Sequence, residues 1–198
     1  ISSKIISNLE YKPSSYLISS IVKIKSKKFN INSFTHENFW TDKKLSPKQL
    51  QKLNNFYWLF SIDLKSSYQS VQFIIRNWIE KNYKYNPENW NFEITSKRII
   101  AWLSNTNLTY DNSNYQFQRD FNLIIHKQTF HLINQIDKEK KLNDKVIGAA
   151  AIILVGLCFK NEKNFTLKGL DYLKKIIKYS FDNSGFPKSR SIKSSIFF

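Results

Sequence analysis

The chain has 198 residues, 41% of them hydrophobic, and its 31 Lys and Arg against 15 Asp and Glu give a formal net charge of +16. This length suits one domain with a packed core or part of a larger domain, and the apolar content excludes a disordered chain. The single cysteine, Cys158, excludes an internal disulfide and a cysteine-based zinc site, and the longest apolar run is too short to cross a bilayer.

The positive charge is concentrated at the two ends of the chain. Residues 1–60 carry a net charge of +7 and residues 160–198 carry +6, whereas residues 61–159, which hold most of the tryptophans, carry +3. Such a surface attracts polyanions in a salt-dependent way. The heavy use of Lys, Asn and Ile with little Gly, Pro and Ala is also typical of an AT-rich coding sequence, in which case the charge says little about partners.

We expect the chain to be a piece of a longer protein. It starts at Ile1, contains no Met, and ends on the apolar run Ile196-Phe197-Phe198, whereas natural termini are usually polar. Residues 1–45 show no regular pattern and are predicted to form an irregular N-terminal segment. Residues 46–198 are predicted to form a helical domain.

From residue 61 onward, apolar residues recur at helical spacing. Ser46-Pro47 predicts the start of a first helix, and Asn86-Pro87 predicts the end of a second. Four further helices are expected to start at side chains that can cap them, namely Thr95 or Ser96, Asp111 or Ser113, Asn143 or Asp144, and Asn164.

The last two predicted helices have different patterns. Residues 146–159 are apolar on every side and are therefore expected to be buried all round. The following helix has one apolar face that is expected to point inward, formed by Leu167, Leu170, Leu173, Ile176 and Ile177. Two-faced helices that flank a fully apolar one predict an all-α fold of antiparallel helix pairs in two layers, and an incomplete α/α toroid (barrel) fits this pattern.

No motif in the sequence marks a nucleotide, metal or thiol site. There is no glycine-rich phosphate loop, and His126 and His131 are five residues apart, which places them on different faces of a helix. We therefore predict no cofactor and no metal. Trp58 and Trp78 lie on apolar helical faces and are predicted to belong to the core, and Cys158 is predicted to be a buried apolar residue.

Several short motifs follow one another between residues 38 and 191. In chain order they are Phe56-Tyr57-Trp58-Leu59-Phe60, Trp78-Ile79, Asn86-Pro87-Glu88-Asn89-Trp90, Ser96-Lys97-Arg98-Ile99-Ile100-Ala101-Trp102-Leu103, Gln128, the apolar helix 146–159, and Ser184-Gly185-Phe186 with Ser189-Arg190-Ser191. Their order and spacing resemble the N-terminal helical domain of the heparinase II/III-like polysaccharide lyases.

The resemblance implies an α/α toroid that is followed, in the full-length chain, by a C-terminal β-sandwich domain. Members of this family cleave uronic-acid polysaccharides by β-elimination, which needs a group that neutralises the sugar carboxylate, a base and an acid. The implied partners are an acidic polysaccharide and the β-sandwich domain of the same full-length chain, with no nucleic acid and no membrane span. The family resemblance implies a periplasmic or secreted location, and the residues themselves leave the compartment open.

The sequence departs from the family's catalytic pattern. Family members carry an Asn-His pair at the start of the buried helix, where this chain has Asn143-Asp144, and a Tyr-His pair after the glycine turn, where it has Ile192-Lys193-Ser194-Ser195. The catalytic residues of the family therefore do not carry over, and those of this chain stay unknown.

Five residues are predicted to contact a glycan: Trp90, Arg98, Trp102, Gln128 and Arg190. Arg98 suits a uronate carboxylate, or alternatively it is an arginine on the outer face of its helix or one that bridges helix ends. Trp90 and Trp102 can present flat faces to sugar rings. Gln128 suits either a cleft contact or a buried hydrogen bond, and Arg190 is either a cation at the rim of the cleft or an exposed residue without a role.

Three functions remain open at this point. The first is the helical domain of a polysaccharide lyase that acts on acidic glycans. The second is a catalytically inactive relative that binds glycan or serves as a scaffold. The third is a basic, helical nucleic-acid-binding protein, although the sequence shows no known nucleic-acid-binding signature.

Overall fold

The periodic pattern of the sequence becomes a set of helices in the computed structural model, which describes residues 7–14, 46–62, 67–182, 184 and 188. These residues form seven α-helices and one 3-10 helix but no strand, so the predicted all-α class is confirmed for them. The helices are α1 Pro47–Asn54, the 3-10 helix Tyr57–Ser61, α2 Tyr68–Asn82, α3 Phe92–Ser104, α4 Thr106–Thr109, α5 Tyr115–Gln135, α6 Leu142–Cys158 and α7 Lys163–Ser180.

Helix α1 begins where the sequence predicts it. The Ser46 side chain accepts a hydrogen bond from the backbone of Gln49, and the Gln49 side chain accepts one from the backbone of Ser46. Pro47 occupies the first helical position, where its missing N–H has no cost. The prediction for this helix start is confirmed.

Two other helices start at asparagines that the prediction overlooked. Asn91 caps α3 and Asn114 caps α5, each through its side-chain oxygen, which accepts a backbone N–H of the first turn. The predicted caps Thr95 and Ser96 lie inside α3 and are buried. The hydroxyl of Ser96 instead donates to the carbonyl of Phe92 one turn earlier. From the sequence alone, the residue that caps a helix cannot be distinguished from a polar residue within the first turns of that helix.

The cap positions of α6 and α7 are Lys141 and Glu162, and neither makes a side-chain hydrogen bond at the helix start. The predicted caps, Asn143 or Asp144 and Asn164, lie inside the two helices, so these predictions are wrong. The two helices pack extensively on each other, and α6 also packs on α3 and α5. Helix α6 thus lies between α7 and the rest of the core.

The burial predicted for these two helices is partly wrong. Helix α6 is not buried all round, because Leu157 is 53% exposed. On α7, Leu167 is 65% exposed, and Leu170 and Ile177 are exposed as well, whereas Ile176 is buried as predicted. The reason is that α7 is an outer helix covered chiefly by α6, so only the side that faces α6 is buried.

Aromatic rings form the centre of the core. Trp78 on α2 and Trp102 on α3 meet edge to face with their ring centroids 5.5 Å apart, and Phe56 contacts both rings. Phe121 on α5 stacks on Trp102 at 5.3 Å. Trp78 is fully buried, which confirms its predicted core position, and Trp58 is half-buried against the same cluster.

Residues 7–14 form an extended segment that covers the end of α6. Leu9 pairs with Phe159, and the backbone N–H groups of Glu10 and Tyr11 both donate to the carbonyl of Cys158. This carbonyl belongs to the last turn of α6, where no helical N–H is left to pair with it. In the described part of the chain, no helix is long and apolar enough to cross a membrane.

The contact between α6 and α7 depends on glycines. A Cβ atom added at Gly156 would overlap the backbone nitrogen and the hydroxyl of Thr166 on α7. A Cβ at Gly169 would lie 2.5 Å from Cγ1 of Ile153 and 3.0 Å from the carbonyl of Ala149. Both positions therefore let the two helices approach closely.

We predict that Gly156→Ala lowers the free energy of unfolding by about 2 kcal/mol, because overlap with the Thr166 backbone outweighs the gain of about 1 kcal/mol in helix propensity. Urea unfolding followed by circular dichroism measures the change. Ala150→Leu enlarges an exposed residue on the same helix and serves as the control, with a change within about 0.5 kcal/mol. Equal stability of the two variants would contradict the close helix contact.

Candidate functional site

A buried arginine on α3 joins three separate parts of the chain. The Arg98 side chain is 0% exposed and donates four hydrogen bonds. Its Nη1 donates to the carbonyl of Asn54 (2.8 Å), its Nη2 to the carbonyl of Asn89 (3.0 Å) and the Thr95 hydroxyl (3.2 Å), and its Nε to Oε1 of Gln128 (3.3 Å). Arg98 thereby links the end of α1, the α2–α3 loop and α5.

The environment of Arg98 offsets the cost of burying a cation without an acidic partner. None of its hydrogen-bond partners in the described residues is Asp or Glu. The guanidinium carbon lies 4.0 Å from the ring centroid of Trp78, and the Asn54 carbonyl belongs to the negative end of α1. Burial nevertheless lowers the pKa of Arg98, because desolvation penalises its charged form.

The backbone after Asn54 has an unusual conformation, and Asn54 contacts both Arg98 and Trp78. Phe56, two residues after the end of α1, has a left-handed backbone conformation with a φ of 57°. This conformation is unusual for a bulky residue. The Phe56 ring is fully buried against the tryptophan cluster. The side-chain oxygen of Asn54 accepts the indole N–H of Trp78 at 2.7 Å, so the ring beneath Arg98 is held by the same residue that accepts from Arg98.

Four of the five residues predicted to contact a glycan lie in the described part of the chain, and all four are buried. Trp90 is 3% exposed, and Trp102 and Gln128 have no exposed surface. Arg98 and Gln128 are brought together, whereas Trp102 packs in the aromatic core and Trp90 donates its indole N–H to the carbonyl of Asn82. These four side chains support the site from within and do not line its surface. Arg190 lies outside the described residues.

A cleft of about 520 Å³ opens between α1 and the α2–α3 loop, directly above the groups that Arg98 holds. Asn54 and Asn89, whose carbonyls accept from Arg98, both contribute to its lining. The remaining lining residues are Pro47, Leu50, Gln51, Pro87, Glu88, Asn91 and Ile94. The cleft could not be identified from the sequence, because the whole of α2 separates α1 from the loop in the chain.

Carboxamide side chains make up much of the described lining of the cleft. Carboxamide groups donate and accept hydrogen bonds but do not titrate. Among the described residues that line the cleft there is no His, Tyr, Lys or Arg, and Glu88 is the one residue with an ionisable side chain. The arrangement suits a ligand rich in hydroxyl groups.

Asp144, the residue that the predicted resemblance aligns with a histidine of the lyases, lies in the first turn of α6. It is 8% exposed, and Lys141 lies 3.7 Å away. Burial raises the pKa of Asp144, and Glu93 nearby raises it further. Asp144 does not line the cleft, so the structure gives this carboxyl no place in it.

Cysteine and metal-ligating side chains are the remaining groups that could carry chemistry. Cys158 is buried, as predicted, and burial raises the pKa of its thiol to about 12, which keeps it protonated. Within the described part of the chain, no three His, Cys, Asp or Glu side chains lie together as a metal ion would require.

When the chain is compared with known proteins, no family model matches it, and no curated protein or solved structure matches it either. The resemblance to the heparinase II/III-like lyases therefore depends on the motifs in the sequence alone and stays a prediction.

We predict that Arg98→Ala lowers the free energy of unfolding by about 3–5 kcal/mol, because it leaves a cavity and removes the donors of several buried acceptors. Arg98→Lys should be intermediate, since an ammonium cannot reproduce the planar set of donors. Arg119→Ala removes an exposed arginine and is the control, with a change within about 0.5 kcal/mol in urea unfolding. Equal effects of Arg98→Ala and Arg119→Ala would show that Arg98 does not join these elements.

Proposed function

We propose that this chain is a glycan-binding helical domain of the heparinase II/III-like kind, and that its ligand is an acidic, uronate-containing polysaccharide. Cleavage by β-elimination then depends on groups supplied by a C-terminal β-sandwich domain of the full-length chain. The observation that carries the proposal is the cleft between α1 and the α2–α3 loop, with its lining of carboxamides.

Carboxamides are suited to sugars because each offers two donors and an acceptor, and a pyranose presents several hydroxyl groups that both donate and accept. Gln51, Asn89 and Asn91 contribute carboxamides to one cleft, together with short apolar surfaces from Pro47 and Pro87. The carboxamide of Asn54 is buried and is held by Leu50 and Trp78, so Asn54 contributes to the wall and not to ligand contacts. A cavity of about 520 Å³ is within the size range of small-ligand sites.

An acidic polysaccharide is favoured over a neutral one by the charge of the chain. The formal net charge of +16 draws polyanions toward the surface at rates that fall with ionic strength. Arg98 does not make the contact with a uronate that the sequence suggested as one of its possible roles, because it is fully buried and four of its five N–H donors already have acceptors. Its role in the proposal is to hold the two walls of the cleft.

The toroid is the architecture that we propose for this domain. Its support is the pairing of successive helices, with α6 and α7 packed together and α6 set against α3 and α5. The exposed apolar side chains of α7, such as Leu167, are then the surface on which further helices of a toroid would pack.

The lining of the cleft favours binding over catalysis by this chain alone. β-Elimination needs a base for the C5 proton and an acid for the leaving oxygen. The described lining residues offer one carboxyl, on Glu88, and no second acid–base group. Glycan binding by this chain, with the catalytic groups supplied from outside it, is therefore the form of the proposal that the described lining supports best.

We predict that the chain binds at least one of alginate, heparan sulfate, chondroitin and hyaluronan in isothermal titration calorimetry, with weaker binding at higher salt. Absorbance at about 230 nm, where an unsaturated uronate absorbs, should not rise when this chain alone is incubated with these polymers. A rise in absorbance would contradict the assignment of catalysis to groups outside the chain. Absence of binding to all four polymers would contradict the proposed function itself.

The cleft is tested by Gln51→Ala, which removes an exposed carboxamide from its lining. We expect binding to weaken about threefold to tenfold, the loss of one or two hydrogen bonds. Gln69→Ala is the control because Gln69 is an exposed glutamine at the start of α2 that does not line the cleft. Equal binding by both variants would place the glycan elsewhere on the surface.

A further inference from the structure

The loop that forms one wall of the cleft also forms a second cluster of side chains together with α5. Tyr83 is 44% exposed and Tyr85 is 61% exposed, and both lie next to Lys127 or His131 of α5. Trp90, buried beneath, has its ring 6.1 Å from that of Tyr85 and 5.6 Å from that of His131. We name Tyr83, Tyr85, Lys127 and His131 the tyrosine patch.

The cation of the patch is held in place rather than free in solvent. Nζ of Lys127 donates to the carbonyl of Tyr83 at 2.7 Å and lies 4.0 Å from the centroid of the Tyr83 ring. It is also 5.9 Å from the centroid of the Trp90 ring. An ammonium has three N–H donors, so the hydrogen bond to Tyr83 leaves two for a ligand.

The histidine of the patch provides a neutral acceptor. Nε2 of His131 lies 2.9 Å from the carbonyl of Trp90 and must carry the proton, since a carbonyl only accepts. Burial lowers the pKa of His131, and the positive charge of Arg98 acts in the same direction, whereas the hydrogen bond to Trp90 opposes both. In the neutral ring, Nδ1 is then an acceptor suited to a sugar hydroxyl.

We propose that the tyrosine patch binds a uronate ring, with its apolar face on Tyr85, its carboxylate at Lys127 and a hydroxyl at His131. This inference deepens the proposed function and depends on it. The C–H groups of a pyranose pack against the negative face of an aromatic ring, and an ammonium held nearby forms a charge-assisted hydrogen bond with a carboxylate. The patch thus supplies the positive charge that the lining of the cleft lacks.

Cleft and patch belong to the same short stretch of chain. Asn89 and Asn91 line the cleft, while Trp90 between them turns its ring toward Tyr85 and His131. A polysaccharide that crosses the loop can therefore place one sugar against the carboxamides and another against the patch.

A single-stranded nucleic acid is the other polyanion that stacks on aromatic rings, and the patch suits it less well. Such ligands need a row of cations that follows the phosphate backbone. The patch holds one ammonium against its rings, and its other polar group, His131, is a neutral acceptor with no free N–H for a phosphate. The exposed Lys84 lies between the two tyrosines in the chain and is the neighbouring cation that a nucleic acid would use.

The test uses the whole chain with alginate and hyaluronan oligosaccharides, each also in a carboxyl-reduced form in which the uronates are neutral sugars. We expect Tyr85→Ala to weaken binding of the acidic and the reduced forms alike, by about tenfold, because stacking does not require the charge. Lys127→Gln should weaken binding of the acidic forms about tenfold and leave that of the reduced forms unchanged. Tyr115→Ala and Lys138→Gln, at exposed positions outside the patch, are matched controls that should bind as the unmodified chain does.

Each contrary outcome identifies a different error. If the acidic oligosaccharides bind but Tyr85→Ala and Lys127→Gln behave like their controls, the patch is not a glycan site and the proposed function stands. If neither oligosaccharide binds, the patch and the proposed function both fail. If a polyuridylate oligonucleotide binds more tightly than the uronates and loses affinity in the same two variants, the patch is a nucleic-acid site and its assignment to glycan is wrong.

Discussion

The burial of one guanidinium group on α3 determines how the rest of the site is built. Arg98 is removed from water without a carboxylate partner, and a buried cation is tolerated only where its donors are satisfied. The chain meets this requirement with the carbonyl at the end of α1, a carbonyl of the α2–α3 loop, the amide of Gln128 and the face of Trp78. Each of these groups comes from a different element, so satisfying one side chain fixes the relative positions of α1, α2, the loop and α5.

The cleft and the tyrosine patch both follow from this arrangement. The cleft exists because Arg98 holds Asn54 and Asn89 at a fixed separation, and its walls carry carboxamides whose backbone carbonyls point inward to the cation. The patch exists because Trp90, next to Asn89, is anchored below the loop and supports Tyr85 and His131. Tryptophan and arginine therefore act as the internal support of the site, and exposed tyrosine, lysine and carboxamide side chains form its surface.

The sequence predicted the helical class and the core position of Trp78, because helical periodicity reports which face of a helix is apolar. It did not predict which apolar faces are covered. Leu167 and Ile176 belong to the same predicted face of α7, yet one is exposed and the other buried, since coverage depends on neighbouring helices that periodicity does not reveal. The helix starts at Asn91 and Asn114 were missed because several polar residues near each start can all cap a helix.

The site was predictable in part. A bridge between helix ends was one of the roles predicted for Arg98, and its hydrogen bond to the last carbonyl of α1 is a contact of that kind, whereas the burial of Trp102 was not predicted. The acceptors of Arg98 were not predictable, because two of them are backbone carbonyls and carry no signal in the sequence. The tyrosine patch combines Tyr83 and Tyr85 with residues more than 40 positions later, and only the packing of α5 against the loop brings them together.

The rate of hydrogen exchange at the Nε–H group of Arg98 tests most directly whether this side chain is buried and held in place. Nuclear magnetic resonance of the arginine Nε–H groups measures this rate. If Arg98 is buried and held by four acceptors, its Nε–H exchanges about 100-fold or more slowly than those of the exposed Arg76 and Arg119, as a local opening free energy near 3 kcal/mol requires. Exchange of Arg98 at the rate of the two exposed arginines would show that the guanidinium reaches solvent freely and that it does not hold the walls of the cleft.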